Sequence, residues 1–303
     1  MGIFSDKIRV GVLRGGPSHE YQVSLNTGAL VLENLDRDIY EPVDILISSG
    51  GLWHENGFVK PLEKIIKRVE VIFNALHGQY GEDGTVQKLL DHFVVPYTGS
   101  GVMGSYFSMN KITSKKIYER SGLKTPFSAS INLKNLGRES IREAYKIVPS
   151  PFMVKPSSAG SSLGVRVAHT LSELEEMVVA AFEYSPSVLI EEYINGKEAT
   201  CGVIDDFRNQ THYPLIPILS SHLGDSEREK INQMALLAHK ALGLRHYSSS
   251  DFIIHPKRGI FILETDSLPT FHQKSGFKEA LELIGVKFSD FLHHIIGLAM
   301  KKK

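Results

Sequence analysis

The stretch Asp251-Phe252-Ile253-Ile254-His255-Pro256-Lys257-Arg258-Gly259-Ile260-Phe261-Ile262-Leu263-Glu264-Thr265-Asp266 decides how this chain reads. Pro256 to Gly259 is turn chemistry between two apolar flanks, so the spacing predicts an antiparallel hairpin. Pairing His255 with Ile260 across the turn sets a register that places Asp251 opposite Glu264. Side chains alternate along a strand, so Asp266 shares a face with Glu264. Three carboxylates then converge on one patch. Facing carboxylates ~5 Å apart repel by on the order of 3 kcal/mol at an effective dielectric of ~20. A sheet tolerates that with a cation between the acids or with raised pKa values. The plain alternative is the wet, splayed rim of a surface hairpin, but Ile253, Phe261 and Leu263 flank the acids with apolar bulk. An all-oxygen donor set suits Mg²⁺ or Mn²⁺, ions that also take phosphate oxygens.

Phosphate calls for positive charge and free backbone N–H groups. Lys155 ends the strand Phe152-Met153-Val154-Lys155, just before the small-residue loop Pro156 to Gly164, which offers N–H groups and hydroxyls. Val165-Arg166-Val167-Ala168 continues as a second strand. Lys111, at the start of a helix expected over about Ser108–Arg120, is the second basic candidate. Upstream, strands and helices alternate: Ile8–Leu13, a helix over Ser24–Leu35, Tyr40–Ile47, and the nearly continuous apolar run Val69–Leu76. That run opens into the polar loop His77 to Gly84, at the strand end where ligands collect in open α/β sheets. Further strands are expected over Val188–Ile194 and Glu198–Ile204. A helix is expected over Ser226–Leu242, and a closing amphipathic helix carries Phe288, Phe291, Leu292 and Ile295.

Two motif matches do not survive their context. Gly99-Ser100-Gly101-Val102-Met103-Gly104 fits a dinucleotide fingerprint but follows a poor strand and lacks the acidic residue at the end of the next one. Gly160-Ser161-Ser162-Leu163-Gly164 fits a hydrolase elbow, yet a strand follows it where the elbow needs a helix. His19-Glu20 has no second histidine at zinc-protease spacing, and His293-His294 read as surface or packing residues of the last helix.

Composition bounds the rest. The 303 residues suit two or three packed subdomains, with 42% hydrophobic and 22% charged residues. Lys+Arg 34 balances Asp+Glu 34, so there is no global field to attract nucleic acid or an anionic membrane, and neither is expected as a partner. A single cysteine, Cys201, and the absence of ~18 consecutive apolar residues or a leader-like start point to a cytoplasmic protein.

Taken together, these residues resemble the D-alanine–D-alanine ligase family of ATP-grasp enzymes. The likeness runs over most of the chain. It is carried by Gly15 to Gly28, by Ala75-Leu76-His77-Gly78 with Gly81-Glu82-Asp83-Gly84, by Tyr97 to Gly101 through Ser108-Met109-Asn110-Lys111, and by Val154-Lys155-Pro156-Ser157 with Gly160 to Gly164. The resemblance implies a mixed α/β ATP-grasp fold with an N-terminal Rossmann-like domain (residues 1–107), a central subdomain (108–187) and a C-terminal subdomain (188–303). ATP and Mg²⁺ (or Mn²⁺) are the implied cofactors, amino acids the implied substrates, and a homodimer is allowed. It assigns Lys111, Lys155 and Ser162 to the phosphate side and Glu191, Tyr193, Ile194 and Glu198 to adenine and ribose. Asp251, Glu264 and Asp266 match the metal ligands. Glu20, Ser24 and His77 fall where the first amino acid binds, Ser161 near the catalytic centre, and Ser275 at the second substrate's carboxylate. The implied reaction phosphorylates a carboxylate and lets an amine attack the acyl phosphate, making a dipeptide for cell-wall precursors.

Three departures bear on that expectation. Ser248-Ser249-Ser250-Asp251 stands where the family has Gly-Arg-Ile-Asp, and loss of such an oxyanion donor typically slows turnover by ~10²–10³. Past Asp266, Ser267-Leu268-Pro269-Thr270-Phe271-His272 replaces a Pro-Gly-Met turn. Only Ile218 to Asp225 remain where the family carries a long lid loop. These leave two alternatives: a ligase with another amine acceptor, or a nucleotide-binding protein without turnover.

Overall fold

The computed structural model describes residues 7–160, 162–219, 224–272 and 275–301; Ser161 and residues 220–223, half of the short segment expected in place of the lid, lie outside it. The N-terminal region builds one five-stranded sheet. Its strands are β1 (Ile8–Gly15), β2 (Tyr40–Ile47), β3 (Trp53–Glu55), β4 (Phe58–Val59) and β5 (Val71–Asn74), ordered β4-β3-β2-β1-β5. β1 is parallel to both β2 and β5, while β3 and β4 add an antiparallel meander at one edge. Helices α1 (Tyr21–Asn34), α2 (Leu62–Ile66) and α3 (Thr85–His92) complete this unit. β5 is buried at all four positions, as its unbroken apolar run requires of a strand covered on both faces.

The single helix expected over Ser108–Arg120 is two: α4 (Val102–Met109) and α5 (Lys111–Arg120). Asn110 breaks them, with extended backbone and a side chain that accepts the amide of Thr113 as an N-cap. The break sets Lys111 at the first position of α5.

A four-stranded antiparallel sheet follows, from β6 (Ser128–Asn132), β7 (Phe152–Pro156), β8 (Arg166–Ala168) and β9 (Ser187–Glu192), backed by α6 (Arg138–Ile147) and α7 (Leu171–Ala181). The β7–β8 hairpin is the one the sequence predicts. β9 pairs with β6 and β7, so the change of sheet comes after Glu192, not at residue 188.

The last sheet holds β10 (Lys197–Phe207), β11 (Gln210–Pro214), β12 (Ile218–Leu219), β13 (Tyr247–His255) and β14 (Gly259–Asp266), with α8 (Asp225–Ala241), α9 (Gly276–Leu283) and α10 (Phe288–Met300). In the β13–β14 hairpin the turn is one residue tighter than expected: His255 pairs with Gly259, not Ile260. A bulge between Asp251 and Phe252 then shifts the register by one, and Asp251 does face Glu264, with Ser249 opposite Asp266. The pairing of the acids was right; the turn from which it was counted was not.

The largest core joins the first sheet to the last. Val10, Val12 and Phe73 pack with Tyr247, Phe271, Phe277, Phe288, Phe291 and Ile295. Phe271 sits at the centre, its ring centroid 5.3–5.8 Å from those of Phe288, Phe291, Phe277 and Tyr247. Among the described residues no single helix is long and apolar enough to cross a membrane. Replacing Phe291, which is fully buried, with Ala removes a ring from the contact between the two sheets. A loss of about 3–5 kcal/mol is expected in urea-denaturation stability.

Candidate active site

Two paired strands deliver the acidic cluster. β13 brings Asp251 and β14 brings Glu264 and Asp266, while Thr265 between them points the other way. Thr265 Oγ1 is held by Tyr118 Oη at 2.9 Å and by Ser250 Oγ at 2.8 Å, and its carbonyl accepts from Ser108 Oγ. Locking the middle residue from behind fixes the two acids on either side of it. Thr200 Oγ1 donates to Asp251 Oδ1 at 2.6 Å from β10. Lys111 Nζ, at the start of α5, reaches Glu264 Oε2 at 2.9 Å and the Ala159 carbonyl at 3.0 Å.

One lysine cannot neutralise three carboxylates. Lys111 holds Glu264 below the usual carboxylate range, against the cost of burial. Burial and the charge of Glu264 push Asp251 up to about 6, and burial with Glu264 and Asp251 pushes Asp266 well above its ordinary value. Glu82 rises for the same reasons, through burial, Asp266 and Glu20, although it accepts the Gly78 amide at 2.6 Å. Such a surplus of negative charge, in an all-oxygen donor set, fits a divalent cation.

Next to the acids, Glu191 of β9 lies between two lysines: Lys155 Nζ at 2.6 Å and Lys115 Nζ at 2.8 Å, the latter also bonded to Thr125 Oγ1 at 2.8 Å. Lys115 was not singled out from the sequence. Its signal was its place four residues after Lys111, one turn along the same helix face. Glu191 is 2% exposed, and the two ammonium groups hold its pKa down against burial.

Two clefts meet at the acids. One, of about 870 Å³, is lined by Glu20, His77, Glu82, Ser108, Gly160, Leu268 and Thr270. The other, of about 1010 Å³, is lined by Met153, Lys155, Val165, Tyr193, Ile194, Glu198, Thr200 and Phe252. Lys111, Ser162, Asp251 and Glu264 line both. Ser162 takes φ of 56° in the loop between β7 and β8. That loop presses on Glu20, since a Cβ on Gly160 would lie 2.1 Å from Glu20 Oε1.

The structure therefore brings Glu20, His77, Lys111, Lys155, Ser162, Tyr193, Ile194, Glu198, Asp251, Glu264 and Asp266 to the walls of one continuous cleft. Ser24 is fully buried behind it, accepting from the Gly15 amide and donating to the Ala75 carbonyl, both at 2.8 Å, so it joins the ends of β1 and β5. Ser275 caps α9 by accepting from the Lys278 amide. Ser161 lies outside the described residues. Glu82 and Thr200, both at the cleft, carried no distinctive sequence signal beyond their place in a loop and a strand.

His77 is 3% exposed, bonded through Nε2 to Thr27 Oγ1 at 2.8 Å. Burial lowers its pKa from 6.5 to about 4.

Comparison with known proteins gives a consistent picture. The family model described as "D-ala D-ala ligase C-terminus" matches residues 119–221 and 215–297, and "D-ala D-ala ligase N-terminus" matches 55–100. The C-terminal match is in two pieces that overlap at residues 215–221. The D-alanine--D-alanine ligase of Bacillus anthracis is 33% identical over 315 residues, covering 97% of this chain and 98% of its own length. That of Pelotomaculum thermopropionicum is 31% identical over 320 residues, covering 97% of each. The Bacillus anthracis enzyme complexed with ATP superposes with a TM-score of 0.83 at 30% identity, covering 97% and 98% of the two chains. VanG D-Ala:D-Ser ligase from Enterococcus faecalis gives 0.86 at 25% identity, covering 97% and 99%.

Two outcomes follow from the geometry. Glu191→Gln leaves two buried ammonium groups facing one another without a counter-charge; unfolding stability is expected to fall by about 3–5 kcal/mol, with weaker ATP binding in calorimetry. The unfolded chain protonates His77 near pH 6.5 while the folded chain resists to about 4, so this residue adds stability at neutral pH that is lost as pH falls across that window. Comparing urea unfolding at pH 7 and pH 5, His77→Gln should lose less stability on acidification than the parent, by about 2 kcal/mol.

Proposed function

The chain belongs to the D-alanine–D-alanine ligase family, and on that premise we propose that it joins two amino acids with ATP, making D-alanyl-D-alanine or a closely related dipeptide for cell-wall precursors. The observation that supports this most is the meeting of two clefts at Asp251, Glu264 and Lys111. One cleft is apolar where a base would lie, between Met153, Ile194 and Phe252, with Glu198 placed for the ribose. The other ends at Glu20 and His77, where a carboxylate can accept from a substrate ammonium group.

A carboxylate at neutral pH is a poor electrophile, so it must first be activated. The γ-phosphoryl group of ATP passes to the carboxylate oxygen of the first amino acid, releasing ADP. The amine of the second then attacks the acyl carbon, forming the C–N bond and releasing phosphate and a proton. Lys111 and Lys155 stabilise charge on the phosphoryl oxygens, and the loop carrying Ser162 offers them N–H groups and hydroxyls. Asp251, Glu264 and Asp266 would hold Mg²⁺ (or Mn²⁺), which would offset charge on the phosphates. Glu20 orients the first amino acid, and Ser24 fixes the Gly15 turn beneath it. Ser275 is assigned to the carboxylate of the second amino acid.

A second reading concerns the acceptor. Leu268 and Thr270 intrude on the amino-acid cleft, and Phe271 anchors their segment in the aromatic core. Among the described residues no arginine lines either cleft, and Ser249 is buried against the neighbouring strands. These features suit an acceptor other than D-alanine, and the structural likeness to a D-Ala:D-Ser ligase favours D-serine as the first alternative to try.

Phosphate release from ATP and Mg²⁺, measured with D-alanine and then with D-serine, tests both readings. A D-amino acid is expected to stimulate release, and Asp251→Asn to lower kcat/KM by at least ~10². Stimulation by no amino acid would overturn the ligase assignment.

A further inference from the structure

At the far end of β10 from the acidic cluster, three potential ligands come from three elements. Asp205 is on β10, His212 on β11 and His239 on α8. Their ligand atoms all lie within 4.8 Å of one another. Asp205 Oδ1 is 2.7 Å from His212 Nδ1 and 3.1 Å from His239 Nε2. None of these groups takes part in the proposed ligase chemistry.

A plain polar network would use all its donors and acceptors, and this one does not. His239 is fully buried, and its Nε2, though 3.1 Å from Asp205 Oδ1, is too poorly aligned with that oxygen to make a good hydrogen bond. A buried polar atom left in that state costs on the order of 1–3 kcal/mol. Its other nitrogen, Nδ1, is bonded to Ser248 Oγ at 2.8 Å. That is the support a metal-ligating imidazole commonly receives on its second nitrogen, and it turns the ring toward the site. The carboxylate is supported in the same way, Asp205 Oδ2 accepting the His246 amide at 2.6 Å. Rigid ligands backed by oriented partners are what distinguish a built site from neighbouring side chains.

We propose that Asp205, His212 and His239 form a second metal site, taking one zinc-like divalent ion and clamping β10, β11 and α8 together. Two imidazoles and one carboxylate suit Zn²⁺ and disfavour Mg²⁺, which takes oxygen ligands. Bonds of ~2.0–2.1 Å to a tetrahedral ion set ligand atoms roughly 3.3 Å apart; Asp205 and His212 need only separate slightly from contact. The ion takes the place of the hydrogen bond between His212 Nδ1 and Asp205 Oδ1, the neutral imidazole carrying its proton on Nε2 when Nδ1 binds metal. His212 keeps 34% of its side chain exposed, giving an entry path and leaving the fourth position to water.

The test uses the full chain, stripped by a chelator and titrated with Zn²⁺ alone in saturating Mg²⁺, which occupies the all-oxygen site. One equivalent of Zn²⁺ should bind and raise the unfolding temperature. Co²⁺ under the same conditions should give the visible absorption of a nitrogen-ligated, four-coordinate ion. His212→Ala, at a partly exposed position, should weaken Zn²⁺ binding at least about tenfold and leave Mg²⁺-dependent turnover unchanged. The parent chain's thermal shift and Co²⁺ spectrum need no variant to fold. No zinc bound in excess Mg²⁺, or equal affinity in His212→Ala, would overturn the proposal.

Discussion

Asp251, Glu264 and Asp266 share a patch with Lys111 as their one close counter-charge. Much of the surrounding architecture serves to hold that imbalance in place. The bulge in β13–β14 turns Asp251 toward Glu264. Tyr118 and Ser250 grip Thr265 from behind, so the acids on either side cannot rotate away from each other. Burial then raises the energy of the charged forms, as the upward shifts of Asp251 and Asp266 record. A site in this condition has a strong electrostatic demand for a cation, and a metal with a triphosphate answers it.

The remaining positive charge is arranged with more economy. Glu191 gathers Lys115 and Lys155 into a buried trio at 2.6–2.8 Å, which ties Lys155 down beside the cleft. A carboxylate that the sequence resemblance assigned to the nucleotide thus also contacts two lysines in this structure. Ser24 is similar: its hydroxyl binds two backbone groups and shapes the turn beneath the amino-acid end of the cleft.

Much of this was legible in the sequence because it depends on short-range pattern. Alternation along two strands with a Pro-Lys-Arg-Gly turn between them was enough to predict the hairpin and gather its acids, while the pairing of Asp251 with Glu264 came out right because two register errors cancelled. The one-residue error at His255 was hidden because a bulge compensated for it, and bulges leave no reliable mark in composition. The N-cap at Asn110 was missed because apolar and small residues run through both α4 and α5. The division between β9 and β10 was missed for a different reason: both read as apolar runs, and which sheet each joins is decided by pairing partners far away in sequence. Lys115 and the Asp205 cluster depend on such long-range contacts too, Lys115 and Glu191 lying 76 positions apart.

At the Glu20–His77 end of the cleft, Phe271 fills the aromatic core while Leu268 and Thr270 line the wall. The account stands on the other end, at the acidic cluster and the lysines beside it. A crystal structure with a non-hydrolysable ATP analogue and Mg²⁺ examines it most directly. The account predicts an ion ~2.0–2.1 Å from oxygens of Asp251, Glu264 and Asp266, with Lys111 and Lys155 on the phosphates. Acids splayed apart with no ion between them, or a nucleotide bound elsewhere, would contradict it.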